Sequence, residues 1–325
     1  FENGLITSVT DLQIVNGGQT TASLFYATQT NKGVDLSAIY VQMKLVVVTP
    51  EDALDMVPLI SRYANSQNAV REDDFFSNSP FHVRMEDLSK SVLAPARPGV
   101  TFQTKWYYER TRGQYLNERN RRTGAVQKTF DAEFPRSQVI TKTDAAKYVV
   151  ARACQPHLVS AGAQKNFMAF AKLVAAHYAD KPDAFNEDYF RKLVAKAILF
   201  NSVRSGISKA GWYQSGYLAN LTAYAVAKLS HEIGREPRAE TFDLLRIWRQ
   251  QAVGDATLAE AVAIARLARD VLTSDSRPVV NVTEWAKREA AWKQLAGAPW
   301  ELSQDFLREC LPVKLNAAGQ SAATV

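Results

Sequence analysis

A chain of 325 residues and 36.1 kDa has room for one large domain or two ordinary ones. With 46% apolar and 22% charged residues, its composition is that of a folded globular protein and excludes a disordered or fibrous one. The net charge of +6 and pI near 9.2 permit an anionic partner without demanding one, and no apolar run approaches the ~18 residues that read as a membrane span.

The first predicted element is a short apolar run, Leu12 to Val15, which meets Asn16-Gly17-Gly18 and turns into a helix from Gln19 to about Thr28. Tyr40 to Val48 alternates and predicts a strand, with Gln42 and Lys44 on one face. Pro50 opens a helix that stops at Asn65-Ser66-Gln67-Asn68, and Ser79-Pro80 opens the next, carrying Phe81, Val83, Met85 and Leu88. His82 and Glu86, one turn apart on that helix, read most simply as a surface pair. Pro95, Pro98 and Gly99 break the chain before an extended Phe102 to Tyr108, and Glu109 to Lys128 is irregular. From Thr143 the pattern is almost wholly helical, with Thr143 or Asp144 as the first cap. Helices are predicted over residues 165–178, 186–200, 217–232, 241–251, 257–272 and 283–295, and Ser205 to Trp212 reads as a linker. The expected fold is α+β, with a mixed region over residues 1–142, a helical region over 143–312 and a frayed tail over 313–325. The chain begins at Phe1 without a methionine or a secretory signal, and an upstream region is expected to be missing. Cys154 and Cys310 lie far apart without metal-ligand spacing, which predicts a reduced, cytoplasmic setting.

Two stretches have the chemistry of an anion site. At the first turn, glycines permit positive φ and close approach, free amides at a helix start favour an anion, and Thr20 adds a hydroxyl. Spacing alone favours reading the same turn as a tight connection that binds nothing. It is neither a P-loop nor a dinucleotide fingerprint. The second stretch, Lys105 to Lys128, holds seven basic and two acidic residues, with Trp106, Tyr107, Tyr108 and Tyr115 among them. Such a mixture suits stacking on bases and pairing with phosphates, or else a solvated loop whose aromatics are packing anchors. The candidate ligand-binding set is therefore Asn16, Gly17, Gly18, Gln19, Thr20, Asn65, Gln67, Asn68, Arg110 and Arg112, with nucleic acid or a nucleotide as partner. No metal ligand, cofactor or catalytic residue is assigned. A metal-dependent nuclease using Asp11 or Glu72-Asp73-Asp74, with Gln42 and Lys44, is the alternative; a non-catalytic sensor or scaffold that recognises a protein trigger is the second.

Ile14-Val15-Asn16-Gly17-Gly18-Gln19-Thr20-Thr21 resembles the hallmark of the AIPR (abortive infection phage resistance) family. Further similar stretches follow in family order: Tyr63 to Asn68, Asp74 to Asn78, Pro80-Phe81-His82, Trp106 to Arg110, Lys142-Thr143-Asp144, Gly162 to Phe167 and Trp285-Ala286-Lys287. The resemblance implies bacterial or mobile-element defence against phage by abortive infection, with a phage-derived trigger as the partner of the sensor alternative. It brings no catalytic mechanism.

Overall fold

The computed structural model describes residues 6–14, 17–30, 35–53, 56–57, 59–60, 79–96 and 102–311. The chain divides into two units, Phe1–Arg71 and Glu72–Val325. In the first, α1 (Gly18–Thr30) follows the glycine turn as its sequence predicts. Thr49 caps the next helical start: its hydroxyl accepts from Asp52 N at 3.3 Å and donates to the Asp52 carboxylate at 2.8 Å. Residues 40–48 depart from expectation. They alternate correctly but pair with no strand among the described residues, and Tyr40 and Val47 stand 92% and 81% exposed. Alternation marks a half-buried face only where a ladder partner exists.

The second unit is mostly helical, and its described strands are short. Proline opens α2 (Pro80–Ser91), and Phe81, Met85 and Leu88 at helical spacing fix its buried face. Then come β1 (Leu93–Ala94), β2 (Thr104–Lys105) and β3 (Tyr107–Glu109). The stretch predicted to be irregular is in fact two helices, α3 (Gln114–Asn120) and α4 (Gly124–Glu133), which pack on each other. Gly113 makes the entry to α3 possible, with φ of +79°. After them comes β4 (Val139–Thr141), parallel to β3, with Tyr108 opposite Ile140; β1 and β2 pair antiparallel. The two helices thus form the crossover that a parallel pair requires.

The remaining helices are α5 (Lys142–Arg152), α6 (Pro156–Ser160), α7 (Ala163–Asp180), α8 (Glu187–Lys209), α9 (Leu218–Ile233), α10 (Leu244–Gln250), α11 (Asp255–Thr273), α12 (Val282–Ala286), α13 (Glu289–Gly297) and α14 (Gln304–Cys310). The cap of α5 is Thr141, whose hydroxyl accepts from Asp144 N at 3.1 Å, because β4 runs on to Thr141 and the helix can begin only there. Asn186 caps α8 as predicted in place, accepting from the amides of Asp188 and Tyr189. Ser205 to Lys209 belong to α8 and not to a linker. Gly206 is helical because a Cβ there would lie 2.8 Å from Val262 of α11, so the glycine lets two helices approach. Helix α9 is buried nearly all round, in contact with α5, α6, α8, α11 and α13. Its Lys228, fully buried, donates to the carbonyls of Ala296 and Ala298 at 3.0 and 2.7 Å and pairs with Glu232, so the charge closes the C-terminal end of α13. Among the described residues no helix is long and apolar enough to cross a membrane.

Strand β3 joins two cores. Trp106 and Tyr108 enter the large helical core, while Tyr107 points the other way into a small one with Tyr115, Phe130 and Phe134 from α3, α4 and their ends. Buried Trp106 donates its indole N–H to Gln251 Oε1 at 2.8 Å, which secures the strand to the end of α10.

Candidate functional site

The two candidate stretches lie in different units. In the first unit, Gly17 takes φ of +95° at the predicted turn, and a Cβ there would touch nothing within 4 Å. The requirement for glycine is therefore conformational and not spatial. Gly18 and Gln19 open α1, Thr20 is exposed, and Thr21 donates its hydroxyl back to Gly17 O at 3.2 Å. Asn16, Asn65, Gln67, Asn68 and the Glu72-Asp73-Asp74 cluster lie outside the described residues, as does the side chain of Gln19. Gln42 and Lys44 are exposed on a segment that forms no ladder. Among the described residues no three His, Cys, Asp or Glu side chains gather as metal ligands.

In the second unit, the basic-aromatic stretch resolves into separate roles. Trp106, Tyr107 and Tyr108 are packing anchors, at most 4% exposed, and present no face to a base. Tyr107 donates its hydroxyl to Glu118 Oε1 at 2.7 Å, and burial followed by that carboxylate pushes its pKa well up. Glu109, at the end of β3, turns its carboxylate onto the start of α3 and accepts from Gly113 N at 3.1 Å and Tyr115 N at 3.2 Å. The turn between them, Arg110 to Gly113, is thereby fixed, with Arg112 on its outside.

Arg110 is drawn inward. Its Nε meets Glu86 Oε2 at 2.6 Å, and the same carboxylate accepts from Lys90 at 2.6 Å and from Gln114 Nε2 at 2.8 Å. Burial of Glu86 would raise its carboxyl pKa, but the bonds from Arg110, Lys90 and Gln114 outweigh that and hold it below the usual range. Glu86 is thus the hub that ties α2 to the turn after β3 and to α3. This corrects the surface pairing of His82 with Glu86: both residues are buried and face different partners. His82 shares a 2.7 Å hydrogen bond between Nδ1 and the Tyr108 hydroxyl and stacks on Phe167. Burial first, then the nearby charges of Lys142 and Arg110, pull its pKa down to about 3, so the ring is neutral. Spacing alone could not separate the two residues. A signal for the hub exists in Glu86 and Lys90, an i,i+4 pair beside the buried Met85.

The other basic residues divide the same way. Lys105 pairs with Glu133 at 2.7 Å, and Arg119 makes a two-bond pair with Asp131 at 2.7 and 2.8 Å. Arg122 donates to Glu118 O and lies over the Phe130 ring, 4.5 Å from its centroid. An open groove of about 600 Å³ runs beside this contact, walled by Tyr107, Glu118, Arg122, Phe130 and Glu133. Arg112, Arg121 and Lys128 are exposed and make no ion pair among the described residues.

No curated protein and no solved structure matches the chain. The family model described as AIPR protein matches residues 2–276, well over half of the sequence, and the chain belongs to the AIPR family.

Proposed function

We propose that this AIPR chain acts in phage defence by holding the phosphate backbone of nucleic acid, or a nucleotide, with Arg112, Arg121 and Lys128 as its cationic contacts. Family membership points to defence of the abortive-infection kind. The observation that carries the binding reading is the division of the basic stretch. Four of its cations are engaged within the fold, and the three on the α3–α4 hairpin and the turn that leads into it are left exposed without a carboxylate among the described residues. With the Trp-Tyr-Tyr run buried, contact is to phosphates and not to stacked bases, so binding is insensitive to sequence. Arg110 serves by positioning, through Glu86, and Arg112 meets the ligand. The turn from Asn16 to Thr20 of the first unit, with Asn65, Gln67 and Asn68, is proposed as a phosphate contact in its own right, where helix-start amides meet the anion.

The test is fluorescence anisotropy of labelled duplex and single-stranded oligonucleotides with the full chain over a range of salt. Each phosphate contact on duplex contributes about 0.9 to the slope of log affinity against log salt. Arg112→Ala, Arg121→Ala and Lys128→Ala combined should flatten that slope by about 2–3 while the fold persists. Binding independent of salt, or unchanged in the triple variant, rejects the reading. Cleavage of the oligonucleotide that needs a divalent metal and is lost in Lys44→Ala would replace it with the nuclease alternative.

A further inference from the structure

We propose that Arg152 and Lys196 form a binding site for a phosphate-type oxyanion between α5 and α8, apart from the α3–α4 hairpin. Helices α5 and α8 pack against each other, with Tyr148 of α5 and Phe200 of α8 in ring contact at 5.2 Å. Arg152 is the last residue of α5, one turn beyond Tyr148; Lys196 lies one turn before Phe200. Both cations thus lie one helical turn from the same ring contact, near enough for the charge of Arg152 to disfavour that of Lys196.

Both side chains are half-buried, and neither has an anion. No ion pair or hydrogen bond to a carboxylate is made by Arg152 or Lys196 among the described residues. Arg152 Nε is buried and has no acceptor at all. What each has is an aromatic face: the Arg152 guanidinium lies 5.6 Å from the Phe242 ring, and Lys196 Nζ lies 5.9 Å from the Tyr189 ring. A ring face attracts a cation but accepts no strong hydrogen bond, so the donors are left over. The carbonyls at the end of α5 offset part of the Arg152 charge without accepting from its guanidinium. The titratable neighbours supply no negative charge either. Lys192 adds a further cation, and its own carboxylate, Asp188, lies 3.4 Å from it. Cys154 is a thiol whose pKa burial pushes up. Consistently, burial and then the charges of Arg152 and Lys192 hold Lys196 down to about 8.

Two like charges in a partly dry place repel, and one bound anion relieves both. A planar guanidinium with free donors beside an ammonium matches a tetrahedral oxyanion of charge near −2 better than a single carboxylate. Inorganic phosphate and the terminal phosphate of a nucleotide share that chemistry.

Isothermal titration calorimetry of the full chain with inorganic phosphate, and separately with adenosine 5′-monophosphate, tests this at ionic strength held constant with chloride. The expected result is saturable binding of one ion per chain, weakened at least tenfold in both Arg152→Gln and Lys196→Met. Equal affinity for the two ligands identifies free phosphate as sufficient, and tighter binding of the nucleotide identifies a nucleotide phosphate. Arg112→Ala with Arg121→Ala and Lys128→Ala must leave this binding intact, which separates it from the hairpin reading. Circular dichroism checks each variant, and if Arg152→Gln fails to fold, Lys196→Met carries the test alone. Absence of saturable binding by either ligand, or equal binding by wild type and Lys196→Met, overturns the proposal.

Discussion

His82 offers a quantitative handle on the junction between α2 and β3. Its pKa falls from 6.5 to about 3 because burial disfavours the charged ring and Lys142 and Arg110 add to that. The unfolded chain therefore binds a proton between these values that the folded chain does not. Stability from this group is fully present above pH 6.5 and is lost as pH falls toward 3. At about 1.4 kcal/mol per pH unit of separation the ceiling is about 5 kcal/mol, reached only below pH 3. Between pH 7 and pH 5, where the folded ring stays neutral and the unfolded ring charges, the loss is about 2 kcal/mol. His82→Gln removes the titration and keeps an acceptor for the Tyr108 hydroxyl. Urea unfolding followed by tryptophan fluorescence at both pH values gives the comparison. Wild type should lose about 2 kcal/mol more than the variant over that interval. Equal losses would show that the ring protonates freely in the fold and would refute the account of the junction.

Other outcomes follow from contacts already described. Glu86→Ala leaves Arg110, Lys90 and Gln114 without their shared acceptor and should lower stability by about 3 kcal/mol in chemical denaturation. A double-mutant cycle with Arg110→Ala should be clearly non-additive, and additivity would deny the hub. Arg112→Ala, on the solvent side of the same turn, should change stability by less than about 0.5 kcal/mol, which a melting curve resolves. In Gly254→Ala the new methyl would collide with the Glu309 carboxylate, which accepts from Ala256 N at 2.9 Å and from the Thr257 hydroxyl at 2.6 Å at the start of α11. Loss of that cap should cost about 1–2 kcal/mol, and a neutral Gly254→Ala would mean Glu309 is not held there.

The rear helices were legible because their apolar residues recur at helical spacing and because Asn186 and Pro80 mark starts by local chemistry alone. The α3–α4 hairpin was not. Its buried residues are few, Tyr115 and Phe130 among them, and most of its length is charged or polar. Its stability comes from Glu86, distant in sequence, and from pairing between its own two helices, Arg119 with Asp131, neither of which a local pattern reveals. Residues 40–48 failed in the opposite sense, since their local pattern suits a strand while strand pairing is a non-local event. Gly206 shows a third limit: glycine within a helical pattern reads as a break, yet here it answers to Val262, many residues away. For the candidate site, the basic stretch was visible as composition, but which of its arginines are free depends on where the fold sets Glu86, Asp131 and the Phe130 ring.

The division of β3 between two cores has a consequence for how this segment tolerates change in length. Successive side chains of Trp106-Tyr107-Tyr108 belong to opposite interiors, so a slip by one residue would withdraw large rings from both at once and offer each the wrong neighbour. Substitution at any one position damages one interior. Insertion or deletion of a single residue within the strand damages both together, and the α3–α4 hairpin with its exposed cations would lose its anchorage as a unit.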